Sequence, residues 1–476
     1  MKIRLLVAAV LALLISLSAF GQTQVDLGNG FKPWGSYDGS SLDSVGLENG
    51  NLILHAPVIP KYPQRGSLAT EITLYVSSHN WEAACLSEDP LSGTPTECSW
   101  AHGGTGIWFK LVGGGLSVQR TVERTSDPLG GFDYFVGGGY VLTTWDGASH
   151  QLYDLSGGNL SSFVTMDGTA YQVAVSNPDQ YGVPQDVTIT DRNGEQRTGT
   201  FGGARCSDPQ WFAPRPAGGY ARVYDQWQSS PTVCVEHSLL QKVVDHNGNT
   251  ISFQAPLISA TPPIDTAGRP SWPLQGGTLG DSSNCISTLP FAQSVIYTYP
   301  GANGAQNQIK VCMGTPTLQT FFGLSGTTEY QNTTSGTQAQ TPITTSIILP
   351  DGTYWSFSYD NYGNVISIHL PTGGTINYGW TTLYPGITTP CAMAASGLPL
   401  PAARAISQRT LIDNNGHSLI WNYHWGGLAA DGTMTNWVTD PNNNDTVHVF
   451  KAVASSQCFS GGSSPGFHET QTKYFQ

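Results

Sequence analysis

The sequence predicts an all-β fold in which hairpin-rich modules are followed by repeats stacking into a β-sheet shell or solenoid-like body. Three observations carry this expectation. Charged residues make up only 11% of the 476, against about a quarter in an average soluble protein, while 56 Gly and 30 Pro interrupt the chain. Long charged helices and coiled coils are excluded by that composition. Tight-turn dipeptides recur throughout: Asn-Gly begins at Asn29, Asn49, Asn193, Asn247, Asn303 and Asn415, and Asp-Gly at Asp38, Asp146, Asp167, Asp351 and Asp431. Both favour two-residue hairpin turns, because Asn, Asp and Gly tolerate positive φ. Between the turns, apolar and polar residues alternate, as in Trp355, Phe357 and Tyr359 against Tyr354, Ser356 and Ser358, or in Leu419, Trp421, Tyr423 and Trp425.

The elements follow in chain order. Met1 to Gly21 carries Lys2 and Arg4, an apolar run from Leu5 to Ile15, and small residues at Ala19 and Gly21, which is the pattern of a secretory signal peptide. The run falls short of the roughly 20 residues that span a bilayer, and no later stretch reaches that length. A secreted chain is therefore expected, with no membrane span. The formal charge of -13, from 20 Lys+Arg against 33 Asp+Glu, excludes nucleic acid as a partner, since phosphate binding needs clustered positive charge.

Export favours disulfides over thiols. The eight cysteines, Cys85, Cys98, Cys206, Cys234, Cys285, Cys312, Cys391 and Cys458, fall into loose sequential pairs, so local bridging is the simplest expectation, with the connectivity left open by sequence. A structural zinc site would want two close ligand pairs, and the chain offers only Cys234 with His237. Val187 to Thr190 before the turn at Asp191, and Val243-Val244 before the turn at Asp245, read as hairpin strands. Helical periodicity is nearly absent. At most a short helix is expected over Ala392 to Ser407, where Gly397, Pro399 and Pro401 interrupt the pattern.

Near the C-terminal end Leu349-Pro350-Asp351-Gly352-Thr353 is echoed by Leu370-Pro371-Thr372-Gly373-Gly374. A fixed period of roughly 20 residues points to stacked hairpins. The unit between them contains Tyr359-Asp360, then Gly363-Asn364-Val365. This resembles the tyrosine-aspartate (YD) repeat of the Rhs family of secreted and surface proteins. Thr410 to His417 and Val438 to Val447 resemble looser units of the same kind, and Leu47 to Leu52 with Pro57, Pro60, Pro63 and Gln64-Arg65-Gly66 is similar to the segment that opens many such proteins. The resemblance implies a hollow β-shell, which in some members encloses a C-terminal toxin behind an autoproteolytic core. That core's Asp-Pro-x-Gly segment is lacking, since Asp440-Pro441 continues as Asn442-Asn443, so no toxin or core role is carried over.

The expected organisation is a signal peptide over 1–21, an Rhs-like β module over 22–125, a β-rich middle region over 126–340 and a YD-type repeat region over 341–476. The chain is read as the N-terminal portion of a larger shell protein, with Thr470 to Gln476 an alternating strand without a partner. In the YD unit the Asp suits turn amides, the Gly supplies positive φ, and Tyr and Val pack on neighbouring rungs, so Tyr359, Asp360, Gly363, Asn364 and Val365 are structural. The Asp-rich turns at Asp191, Asp245, Asp413 and Asp440 also invite a calcium reading, but none has the twelve-residue loop with a terminal Glu.

No catalytic or cofactor-binding residue is expected. Gly462-Ser463-Ser464-Pro465-Gly466 matches G-x-S-x-G without the strand and helix an elbow needs, His468-Glu469 is no helical zinc signature, and the glycines at 103–106 and 137–139 lack a nucleotide-site context. The leading expectation is a non-catalytic secreted scaffold with a surface-interaction or containment role, partnered by an unknown extracellular component or the remainder of a larger shell. The alternatives are a carbohydrate-binding protein using Trp355, Trp380, Trp421 and Trp425, and a secreted hydrolase with Ser464 as nucleophile.

Overall fold

The computed structural model describes residues 35–63, 66–79, 81–86, 97–102, 108–112, 116–125, 132–135, 140–144, 149–178, 183–207, 232–253, 264–268, 277–300, 305–324, 327–332, 342–383, 402–427, 429, 431, 433–452 and 467–476. Among them there is no helix, so the chain is all-β as the composition predicts. The signal-peptide segment, Cys391, Cys458, Ser464 and the glycine run at 103–106 lie outside the described residues.

The strands form four sheets. Tyr37–Gly39, Asp43–Gly46, Leu52–Pro63 and Ala69–Ser77 make an antiparallel meander, completed by Trp108–Val112. A 12-stranded antiparallel sheet runs from Thr278–Gly280 at one edge to Phe467–Phe475 at the other. These two sheets enclose the largest core: Val45, Leu52, Leu54 and Leu74 of the first meet Val311, Ile347, Phe357, Ile376, Ile406 and Phe450 of the second. Alternation explains it, because Trp355 and Phe357 face inward while their sequence neighbours face out.

The middle of the chain forms an 11-stranded sheet that closes on itself. Ser117–Thr125 pairs with Val141–Thr143 on one side and with Thr232–Val244 on the other, so eight of the strands complete an antiparallel barrel. Its interior is filled by Val118, Leu142, Phe163, Val173, Val187, Ile189 and Phe201, as suits a barrel of that strand number. One cation is sealed among them. Arg120, 2% exposed, donates from Nε and Nη2 to Glu236 Oε2 at 2.8 and 2.6 Å and from Nη1 to the Pro184 carbonyl, with its guanidinium 3.9 Å from the Phe201 ring centroid. Burial pushes the neighbouring Tyr140 phenol up, partly offset by the Arg120 charge.

Three expectations change. Of Ala392 to Ser407, residues 392–401 lie outside the described residues, and Ala403 to Ser407 is strand, the first half of Ala403–Ile412, because Ala405 and Ile406 are core residues and pairing with Thr375–Leu383 outweighs the weak helical pattern. Thr470 to Phe475 has a partner: Phe467–Phe475 pairs along its length with Asp445–Ala452. The Asn-Gly turns at Asn193, Asn247 and Asn415 are not two-residue loops, since only their Gly takes positive φ, whereas a type I′ turn needs it at both central residues.

Of the expected bridges, Cys285–Cys312 is present. The register also sets Cys85 directly opposite Cys98, and Cys206 opposite Cys234.

Candidate functional site

The chemistry-bearing motif of this chain is a turn. Asp360 donates its amide to the Asn364 carbonyl at 2.9 Å, and Gly363 donates its amide to the Asp360 carbonyl at 3.0 Å. Asp360 Oδ1 accepts the amides of Tyr362 and Asn364, both at 2.9 Å, and its Oδ2 accepts the Asn364 side-chain amide at 3.2 Å. Gly363 sits at φ 78°. This is a type I turn closed by a left-handed residue, the three-residue loop of a bulged hairpin.

The same hydrogen bonds recur at Asp191, Asp245, Asp413 and Asp440, each carboxylate accepting amides two and four residues on. The left-handed position is Gly194, Gly248, Gly416 and, in the last, Asn443. Hydrogen bonds from Asn249 hold the Asp245 carboxyl down at about 2. Leu349 and Leu370 close identical backbone loops without the carboxylate, so the echoed Leu-Pro segments are the same turn in apolar form. In all five Asp turns one of the carboxylate oxygens that a calcium ion would need accepts two backbone amides.

The flanks of the motif point into the core. Val365 is buried, and Tyr359 packs on the core with its hydroxyl donating to the Thr344 carbonyl; burial pushes that phenol far above its usual pKa. Replacing Gly363 by Ala is expected to cost about 1 kcal/mol and by Val about 2, because a Cβ disfavours the left-handed conformation. Gly363→Asn should cost less than either, as Asn443 already occupies the equivalent position. Chemical denaturation of the three variants checks the order, and an Ala variant as stable as wild type would refute it.

Around this turn a satellite assembles that the sequence did not announce. The hairpin Trp81–Leu86 and Glu97–His102, joined by the parallel strand Thr327–Thr328, brings Trp81 and Trp100 against Phe322, Tyr330 and Tyr362. Trp100 and Phe322 lie 4.0 Å apart by ring centroids, and Phe322 and Tyr362 5.2 Å. Three donors converge on the turn itself: Gln319 N on the Asn361 carbonyl at 2.7 Å, Trp81 Nε1 on the Tyr362 carbonyl at 2.9 Å, and Phe321 N on the Tyr362 hydroxyl at 3.1 Å. Arg404 reaches Asp360 Oδ2 at 3.4 Å and stacks 4.4 Å from the Tyr362 centroid. The YD turn is thus a hub joining three distant chain segments. Only the aromatics Trp81, Trp100, Phe322 and Tyr330 hinted at it.

The tryptophans weighed as a sugar platform are committed inward. Trp355 is buried, and Trp380, Trp421 and Trp425 pack on the same core. Trp380 Nε1 donates to the Val365 carbonyl at 3.0 Å and Trp425 Nε1 to that of Ile406 at 2.8 Å. His468 and Glu469 lie on a strand, where Glu469 Oε1 contacts His448 Nδ1 at 2.8 Å.

One triad-like array was not foreseen. His150 Nδ1 lies 2.5 Å from Asp167 Oδ2, and His150 Nε2 3.1 Å from Thr144 Oγ1. Hydroxyl, imidazole and carboxylate stand in the order of a nucleophilic triad. Thr144 and His150 are only 4% and 3% exposed, however, so no substrate carbonyl reaches the hydroxyl in this conformation. The array pins strand Ser149–Asp154 to the turn after Ser162–Thr165.

Repeated bulged hairpins, a core between sheets and a YD turn used as a joint define a repeat-built β scaffold. The RHS Repeat family model matches residues 344–375, which span the YD turn and both Leu-Pro turns, so this segment of the chain carries an Rhs repeat. Among solved structures it is similar to TcdB2-TccC3, at 10% identity and a TM-score of 0.20 over 94% of this chain and 20% of that one. The structure of TcdB2-TccC3-Cdc42 gives 11% identity and a TM-score of 0.21, over 89% and 19%. This chain therefore spans about a fifth of their length. No curated protein matches it.

Proposed function

We propose that this protein is a non-catalytic Rhs-type scaffold, secreted, whose role is to present its outer β surface to an extracellular partner. The carrying observation is that the one strongly matching motif spends its residues on joining segments: Tyr359 and Val365 on the core, Asp360 and Asn364 on the turn, and the turn's carbonyls on the satellite. The inner face of the repeat sheet is largely occupied by the chain's own N-terminal sheet, which favours outward interaction over containment by this part of a shell. The inward commitment of Trp355, Trp380, Trp421 and Trp425 weighs against the carbohydrate-binding alternative, and Ser464, the hydrolase candidate, lies outside the described residues.

Two experiments test the proposal. The full chain, tagged at its C-terminus and produced with and without residues 1–21, should reach the medium only when that segment is present. The purified protein should then hydrolyse none of a set of ester, peptide and glycoside substrates. Turnover abolished by His150→Ala or Ser464→Ala would overturn the non-catalytic reading.

A further inference from the structure

We propose that residues 281–286 are a redox-released strap: reduction of the Cys285–Cys312 disulfide frees this segment from the outer face of the 12-stranded sheet and uncovers the row of small residues beneath it. Along Gln306–Gly314, Ile309 and Val311 turn into the core between the sheets, so Lys310 and Cys312 belong to the opposite, outer face. That face should be wet. Yet Ser294, Cys312 and Ser346, directly opposite one another on three neighbouring strands, are each 0% exposed. Their cover is the strap, whose own residues Asp281 to Asn284 are exposed.

The strap has one covalent anchor and several weak ones. Ser294 Oγ donates to the Asp281 carbonyl at 2.7 Å, Ile286 N donates to Ser346 Oγ at 3.0 Å, and Lys310 Nζ donates to Asp281 Oδ1 at 2.8 Å and to the Ser283 carbonyl at 2.7 Å. The Asp281 side chain is 76% exposed, and an ion pair so placed contributes little. Before the strap, Thr278–Gly280 holds the sheet edge by three residue pairs only. The segment is therefore drawn from the low-stability end of the fold, with the disulfide as its principal hold.

The release step balances with a dithiol as reductant. One reductant thiolate attacks Cys285 Sγ, the sulfur on the strap itself. The protein S–S bond breaks, and the Cys312 sulfur leaves as a thiolate that takes up a proton. The second reductant thiol then displaces Cys285 in turn, giving two protein thiols and the oxidised dithiol.

The test is pulsed alkylation of the full chain with iodoacetamide after dithiol treatment, read at each cysteine by peptide mass spectrometry. With the strap released, Cys312 alkylates within about tenfold of the rate at Cys285. A larger ratio means that the cover stays in place, and overturns the proposal. Cys285→Ser, which leaves the other cysteines oxidised, is the independent arm: its Cys312 should alkylate without reductant within about tenfold of Cys285 in Cys312→Ser. Amide exchange separates local release from unfolding. The Ile286 amide should exchange at least about tenfold faster after reduction, while Ile347 and Ile376 keep their protection; loss of protection at all three would equally overturn the proposal.

Discussion

Replacing Arg409 by Met is expected to destabilise the protein by about 3–5 kcal/mol, the usual consequence of removing one member of a buried ion pair. Arg409 Nε and Nη2 donate to the two oxygens of Asp43 at 2.6 and 2.9 Å, Tyr378 adds its hydroxyl at 2.8 Å, and Ser40 a fourth donor at 2.5 Å. Asp43 is 0% exposed and Arg409 4%. The guanidinium also lies 4.9 Å from the Trp421 centroid. Next to this network Tyr423 donates to Asp38 at 2.6 Å, so two N-terminal carboxylates are tied to three repeat strands more than 300 residues away. In Arg409→Met the Asp43 carboxylate stays buried with no cation. The double variant Asp43→Leu/Arg409→Met should recover most of the loss, because neither charge is then left alone. Urea denaturation followed by tryptophan fluorescence measures both, and an Arg409→Met loss below about 1 kcal/mol would contradict the argument.

The same network sets an acid limit. Burial pushes the Asp43 carboxyl up, but the Arg409 hydrogen bonds and charge, with Ser40 and Tyr378, outweigh it and leave its pKa below the ordinary value. The unfolded chain then binds this proton more readily than the folded one. The stabilisation is fully present above about pH 4 and is lost as pH falls through the depressed folded value. In Arg409→Met the upward push of burial is opposed only by the Ser40 and Tyr378 hydrogen bonds, so acid unfolding should begin at a higher pH than in wild type. At the alkaline end Tyr378 and Tyr423 behave oppositely. Burial, and the charges of Asp43 and Asp38, raise their phenols well above 10, so their contribution is whole below that pH and fades above it.

What the sequence could reveal follows the range of each interaction. The turn at Asp360 was legible because its amides, carboxylate and left-handed Gly363 lie within five residues, and the inward face of Trp355 and Phe357 because strand alternation is local. The loop type at Asn193, Asn247 and Asn415 was misread, since the dipeptide alone does not show that an Asp two residues earlier captures the amides and makes the loop one residue longer. Barrel closure was invisible. It rests on residues 119–124 pairing with 232–237, and on Arg120 finding Glu236 across 116 positions. The Asp43–Arg409 pair and the satellite on the YD turn are of the same kind, joined by contacts that no local pattern announces.

Phe322→Ala is the second large effect, about 3–5 kcal/mol by the usual cost of emptying a buried phenylalanine site. Phe322 is 0% exposed and stands between Trp100 and Tyr362, so it joins the satellite hairpin to the YD turn. The loss should be local. The satellite adds only short strands, its parallel pairing covers two residues, and its core is separate from the one between the large sheets. Removing the ring should therefore open residues 316–324 and 327–332 while the repeat sheet stays folded. Amide exchange reads this directly: Gln319 and Phe321, whose amides donate to Asn361 and Tyr362, should lose protection by about a hundredfold or more, while Ile347, Ile376 and Ile406 keep theirs. Phe322→Leu should recover part of the protection by refilling some of the volume. If Gln319 and Phe321 stayed protected in Phe322→Ala, the satellite would be held by the backbone bonds to the turn alone. If the repeat sheet opened with them, the YD turn would be supporting the sheet through the satellite rather than the reverse.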